Sequence, residues 1–400
     1  MTFRGAREEA DDKWSKPDPD AAIWIDDEAW DEALLPERPW VVPGYALRGA
    51  VTLVVGPPST KKSTLMLTWG CAYALGKPHG NFHPAESGSV IVYNCEDNRD
   101  EQRRRLSAVL RQFDALAADL GGKIVRTGPN GLGTLFTWDA VRGLVINTAA
   151  MNALRTLLAL RRPGLLVADP LAELHGAGEN DNTALRAIIA EFRALAIEFD
   201  MAVIIVHHTR KGTVSPGDPD TARGGSAIIG AARIVLTCLV MSEEDAEAFG
   251  LPKDRKTRSF YMRLDDAKQN YTGIGDAQWY KTALYTLRNG ETVPGLTPWS
   301  APDMWAAISV SLANQILDEI DAGLDAGTRR YSHGNAADDR AAWKVVARHV
   351  PSLTEKQARK VILTYLDNTV LFSKKYDDPK ARRPLTGLYL NDTRRPGAVH

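Results

Sequence analysis

The sequence predicts an α/β protein with a mainly parallel central sheet, followed by a small C-terminal α+β domain. Three observations carry this. Short β-branched runs alternate with helical spacing from Val51 to Val240. Two of these runs end in carboxylates, at Glu96-Asp97 and at Asp169. From Ser259 to Leu287 strand patterns follow one another without helices, which extends a parallel sheet by antiparallel strands.

The 400 residues suffice for two or three domains, and 44% hydrophobic content suffices for real cores. A net charge of −1 makes no global argument for a nucleic-acid partner, but the distribution is uneven. Residues 1–40 hold 12 acidic and 5 basic side chains, whereas residues 331–400 hold 13 basic and 7 acidic ones. Cys71, Cys95 and Cys238 stand apart in apolar contexts without CxxC spacing and read as reduced core residues. No apolar run approaches a membrane span, and the N-terminus has no signal-like apolar stretch, so a cytoplasmic protein without membrane partners is expected.

Residues 1–22 are charged and interrupted by Pro17 and Pro19, the composition of a disordered acidic arm. The stretch VTLVVGPPSTKKSTL, residues 51–65, is a strand that breaks at Gly56, crosses a polar loop and reopens as a helix at Lys62. A strand that delivers a loop to a helix N-terminus presents unpaired N–H groups and a positive dipole end to an anion, the logic of a phosphate-binding loop. The expected nucleotide contacts are Gly56, Ser59, Thr60, Lys61, Lys62, Ser63 and Thr64. Lys62 would reach the β- and γ-phosphates and Ser63 would bind Mg²⁺. Lys61 occupies the place where the GxxxxGK[ST] pattern has its second glycine, which requires a different local geometry or some backbone strain. Just upstream, Trp40 and Tyr45 are either neighbours of an adenine or plain core aromatics.

Apolar spacing predicts a helix from Lys62 to Leu75, ended by Gly76 and Pro78, and then a buried strand over 89–94. Glu96 at its mouth is a candidate for polarising an attacking water, with Asp97 or Asn98 capping the next helix. In the Gly-rich segment 121–150 only strand KIVRT is assigned, and a helix follows around Met151–Leu160. The run LLVAD then ends in Asp169, which would reach Mg²⁺ through water. After a helix from Asn182 to Phe199, strand 202–206 ends in His207-His208. No further Cys or His stands at ligand spacing, so these histidines are read as γ-phosphate sensors rather than metal ligands. Loop 212–224, with Arg223, reads as a switch or DNA-contacting segment or an ordinary connection. Arg233 opens the next strand, where it could reach a neighbouring subunit's nucleotide.

The order of GPPSTKKS, NCED, LLVADPL, VIIVHHTRKG, ARGGSAIIGAAR, MSEEDAEAFG and AKQNY resembles the RepA-like hexameric helicases of plasmids and phages, within the RecA-like ATPases, over about residues 40–285. The resemblance implies a RecA-like P-loop NTPase core that uses ATP and Mg²⁺, assembles into a ring, typically a hexamer, and moves on single-stranded DNA during replication of a mobile element. It implies Lys62 and Ser63 as the Walker A lysine and hydroxyl, Glu96 as catalytic glutamate and Asp169 as Walker B aspartate. It further implies His207 or His208 as sensor, Arg233 as arginine finger, and Lys268 near a neighbour's nucleotide.

The resulting division is an arm at 1–22, an ATPase domain at 23–288, a linker with an interdomain helix at 289–330, and a C-terminal domain at 331–400. In the last, helix AAWKVVARHV, a helix capped by Thr354 and a basic hairpin with Lys374, Lys375, Arg382 and Arg383 make a winged-helix candidate. Its second helix would enter a DNA major groove; the alternative is a docking domain for a replication or loader protein. The rival to the motor as a whole is an ATP-gated DNA-binding or assembly protein with slow or no hydrolysis, and a third possibility is an ATPase scaffold that binds no nucleotide.

Overall fold

The computed structural model describes residues 31–128, 131–139, 141–178, 181–208, 215–218, 225–301, 303, 305–334 and 338–397. The acidic arm 1–22 and most of loop 212–224, including Arg223, lie outside the described residues. The chain divides into two units, residues 1–39 and 40–400. In the first, Asp31 caps a single 3-10 turn, Glu32–Leu34.

The second unit opens with an antiparallel pair, β1 (Trp40–Val42) and β2 (Ala46–Leu47), and then β3 (Val51–Gly56) enters the main sheet. There follow α1 (Lys62–Leu75), β4 (Val90–Asn94), α2 (Arg99–Gln112), β5 (Ile124–Thr127), the hairpin β6 (Phe136–Asp139) and β7 (Gly143–Ile146), and α3 (Thr148–Arg161). The chain continues through β8 (Leu165–Asp169), α4 (Asn182–Glu198), β9 (Ala202–His208), α5 (Gly225–Ala231), β10 (Ile234–Val240), α6 (Glu243–Ala248), α7 (Arg255–Arg258), β11 (Tyr261–Gln269), β12 (Gln278–Thr286) and β13 (Thr292–Trp299).

Among the described residues the main sheet runs β13-β12-β11-β10-β3-β9-β8-β4-β5. The six strands from β10 to β5 are mutually parallel, and β11 to β13 add antiparallel strands at one edge. Both faces are covered, which explains why β3, β4 and β8 are buried at every position. On one face Leu65, Met66 and Trp69 of α1 pack with Val54, Val92 and Leu236. On the other, Leu154, Leu158, Ile188 and Phe192 of α3 and α4 pack with Leu53, Val55, Ile91, Val203 and Ile205. Each such side chain contributes about 1.5–3 kcal/mol when fully buried. Gly76 ends α1 with φ 65°, the left-handed C-terminal geometry that glycine adopts freely.

The first of the strand patterns expected between Ser259 and Leu287 is the nine-residue β11, which runs unbroken from Tyr261 to Gln269. One sequence expectation changes here. Residues 292–299, expected as linker, form β13, paired with β12 from Trp279↔Trp299 to Thr286↔Thr292. Pro294 and Pro298 disguised it; proline is tolerated there because β13 lies at the sheet's edge.

The C-terminal part comprises α8 (Val310–Ala322), α9 (Trp343–His349), α10 (Glu355–Asp367), β14 (Leu371–Asp378) and β15 (Arg383–Leu390). The helix expected between domains, α8, belongs to this part: Ile316, Leu317 and Ile320 share a core with Val345, Val346, Val361, Ile362, Leu371 and Leu388. Leu388 N–H donates to Tyr331 O at 2.8 Å, which ties the segment before α9 to the hairpin. Among the described residues this part is three helices followed by a two-stranded antiparallel hairpin. Thr354 and Gln357 form a capping box at the start of α10. Asp378 shapes the hairpin turn by accepting from Lys380 N and Ala381 N, while Tyr376 and Arg329 hold its other oxygen. Lys374, Lys375, Arg382 and Arg383 are exposed.

The start of α10, expected to enter a major groove, is occupied in this structure. Gln357 Nε2 donates to Ala248 O at 3.1 Å, and Thr354 Oγ1 lies 3.5 Å from Glu247 O. Lys356 stands 4.0 Å from the Glu247 carboxylate. The acidic helix α6 therefore covers the first turn of α10.

Candidate active site

Ligands of open α/β sheets collect at the carboxyl ends of the strands, and the topology brings four such ends together. The loop after β3 is one. Gly56 is required there by close approach, since a Cβ would lie 2.2 Å from Cys238 O on β10. Ser59 and Lys61 both adopt φ 65°, so the chain keeps a left-handed loop without glycine and accepts the strain, at about 1–2 kcal/mol per residue. The Lys61 side chain turns aside and donates to Ser259 O. Thr60, buried, donates to Pro57 O at 2.9 Å.

Lys62 is 4% exposed, and its ammonium lies 2.8 Å from both Gly56 O and Pro57 O and 3.3 Å from Thr60 Oγ1. Burial lowers its pKa, opposed by the nearby Cys238, Asp169 and Glu96. A phosphate oxygen, fully charged, is a stronger acceptor than the carbonyls that Lys62 now holds. Helix α1 begins without any side-chain cap, whereas α2, α3, α4, α8 and α10 begin with Asn98, Asn147, Asp181, Ser309 and Thr354 capping their N–H groups. The first N–H groups of α1, with Ser63 and Thr64, are thus open to an anion.

Asp169, at the end of β8, is buried, and Ser63 donates to its carboxylate. Burial pushes its pKa up to about 6; the Ser63 hydrogen bond lowers it, Glu96 raises it and Lys62 lowers it. A hydroxyl and a desolvated carboxylate side by side next to an uncapped helix start fit Mg²⁺, an oxygen-seeking cation bound with a nucleotide's phosphates. Asp169 pairs with Asn94 in the β4/β8 register. Asn94 was not recognised from sequence, yet it builds the next feature: its Oδ1 accepts from Glu96 N at 3.0 Å and Asp97 N at 2.7 Å. That turn holds Glu96, exposed, beside Asp169 and Lys62. The cap of α2 is Asn98, not Asp97, because Asp97 is drawn into an ion pair with Arg105 at 3.1 Å.

The two histidines separate by strand alternation. His208, opposite Gly56 in register, puts Nδ1 3.5 Å from Lys62 Nζ. Burial and the Lys62 charge lower its pKa, so the ring stays neutral and can accept or donate. His207, buried, points to the opposite face. Two further candidates are not in this group. Arg233 lies just before β10 at the other end of the sheet, where its N–H donates to Val51 O at 3.2 Å, and its side chain is exposed. Lys268 is beside it, donating to Ile229 O at 2.9 Å and Ala232 O at 2.8 Å at the end of α5. Tyr45 and Trp40 are core aromatics: Tyr45 packs on Trp69 and Phe82, and Trp40 on Tyr271.

Fold and site together define a class, a mainly parallel α/β core with a P-loop-type phosphate-binding site at the carboxyl ends of its strands. Residues 19–214 match the family model described as an AAA domain, just under half of the chain. Among solved structures, the chain is similar to a KaiC-like protein from the hyperthermophilic archaeon Pyrococcus horikoshii OT3, at 13% identity and a TM-score of 0.38, covering 65% of this chain and 94% of that one. Among the described residues no helix is long and apolar enough to cross a membrane.

Proposed function

We propose that the protein hydrolyses ATP with Mg²⁺ and uses the cycle to move on single-stranded DNA as a ring of identical subunits, a hexamer in the RepA-like pattern, in the cytoplasm during replication of a mobile element. One observation supports this above the rest: Lys62, Ser63, Glu96, Asp169 and His208 converge at four neighbouring strand ends. In this reading Lys62 and the α1 N–H groups, with Ser59, Thr60, Lys61 and Thr64 along the loop, bind the β- and γ-phosphates. Ser63 and Asp169 hold Mg²⁺, which neutralises phosphate charge. Glu96 orients the attacking water and takes its proton. His208 senses the γ-phosphate. Arg233 and Lys268 act on the nucleotide of the adjoining copy, and the basic hairpin contacts DNA or a loader protein.

A second reading, an ATP-gated binder that turns over slowly, is favoured by the left-handed, non-glycine loop at Ser59 and Lys61. Steady-state ATP hydrolysis with and without single-stranded DNA, with mass measured on the same samples, separates the two. DNA-stimulated turnover in a ring-sized species, lost in Lys62→Ala, is the expected result. Tight ATP binding without turnover under any condition would replace the motor by the gated binder.

A further inference from the structure

A half-buried arginine on the flank of the main sheet keeps one nitrogen without a partner among the described residues. Arg126 is the third residue of β5, and its Nη1 is buried without a hydrogen-bond partner. Burial lowers its pKa, and the cationic Arg103 and Arg99, both from the first turns of α2, lower it further. Among the described residues none of the nearby carboxylates pairs with Arg126, and only Asp100 approaches one of the other two arginines. Asp97 pairs with Arg105 at 3.1 Å, Glu101 with Arg105 at 2.9 Å and Arg104 at 3.6 Å, and Asp100 stands 3.9 Å from Arg103. The frame around the cluster is fixed, because Gln102 Nε2 donates to Asp97 O at 2.9 Å and Thr127 O at 3.0 Å and so ties α2 to the end of β5.

Arg126 keeps a desolvated, unused N–H where the exposed Arg99 and Arg103 add to the positive field, and an anion placed there would satisfy that N–H and be attracted by all three. A phosphate group suits best, since the planar fork of arginine matches its oxygens. We propose that Arg126, Arg99 and Arg103 form a phosphate-binding site distinct from the nucleotide loop. The phosphate comes either from the backbone of single-stranded DNA, a source that rests on the motor reading above, or from a free polyanion such as pyrophosphate. Strands β4 and β5 are paired, Tyr93 opposite Thr127, so the ligand would lie on the flank of the turn that carries Glu96.

The test uses the full chain in a Lys62→Ala background, which removes the P-loop's own phosphate affinity. Binding of labelled oligothymidylate is followed by anisotropy and of pyrophosphate by calorimetry, with and without Arg126→Ala and with the exposed pair Arg99→Ala/Arg103→Ala. If DNA is the source, oligothymidylate binding weakens tenfold or more, and its salt slope falls by about 0.7 for each phosphate that is no longer neutralised. If a free polyanion is the source, pyrophosphate binding disappears while oligothymidylate binding stays. Unchanged binding of both ligands in both variants overturns the site. Should Arg126→Ala not fold, the exposed double variant decides by the same criteria. ATP affinity in the wild-type background is expected to be the same with and without the arginine substitutions. A failed motor with an intact phosphate site, or the reverse, would therefore be distinguishable.

Discussion

The two ends of the parallel sheet are furnished differently. At the carboxyl end one chain assembles a lysine, a hydroxyl, two carboxylates and a histidine around an uncapped helix start. At the amino end Arg233 and Lys268 stand together with no phosphate loop beside them. Val51 and Gly56 span β3 from one end to the other, roughly 17 Å at about 3.3 Å per residue, more than an arginine side chain can bridge. Arg233 is therefore out of reach of the loop after β3 in its own chain.

The sharpest way to break this contrast is Arg233→Ala. Turnover is expected to fall by about 10³-fold or more while ATP affinity stays, the behaviour of an arginine that acts only on the transition state. Mixing Arg233→Ala with Glu96→Gln restores part of the rate if the two ends meet between copies, because some junctions then regain both groups; a mixture as inactive as its components would place Arg233 outside the reaction. Glu96→Gln alone is expected to cost about 10²–10⁴ in turnover with nucleotide retained, measured by single-turnover hydrolysis and equilibrium binding.

A smaller effect is set by pH. Asp169, with its pKa pushed up to about 6 by burial, must lose its proton to hold Mg²⁺. Mg²⁺-dependent nucleotide affinity is therefore expected to be flat above pH 7 and to drop by about tenfold per unit below 6. Calorimetry in buffers of different ionisation enthalpy should detect proton release near pH 6 and none at pH 8. The same shift acts on folding with the opposite sign: a carboxyl raised in the native state favours folding while protonated and disfavours it as pH rises through 4 to 6. The smallest effect concerns Lys61. Lys61→Ala loses the bond to Ser259 but keeps φ near 65°, whereas glycine is free of that strain. Lys61→Gly should be more stable than Lys61→Ala by about 1 kcal/mol in urea unfolding, the reverse of the usual order for these residues.

Much of the carboxyl end was readable because each of its residues follows a buried strand, and the β-branched runs before Gly56, Glu96, Asp169 and His207 announce those strands locally. The span of α1, Lys62–Leu75, follows from its apolar spacing and Gly76. What stayed hidden depends on partners distant in sequence. Nothing near residue 94 reveals that Asn94 braces the Glu96 turn, and the choice between His207 and His208 is made by the register of β9 against β3. β13 escaped because its prolines are permitted only by its position at an edge, which is a property of the whole sheet. Asn98 won the helix cap because Arg105, about two turns on, claims Asp97.

The bonds from Thr354 and Gln357 to the end of α6 carry a thermodynamic consequence for the C-terminal hairpin domain. Since α6 and α10 belong to one polypeptide, α6 is a tethered competitor present at an effective concentration in the millimolar range. Any ligand for the first turn of α10 meets the chain already bound to itself, so its observed affinity is the intrinsic one multiplied by the fraction of time that α6 is released. The isolated domain would show the intrinsic affinity in full, and the full-length protein would approach it only when α6 moves.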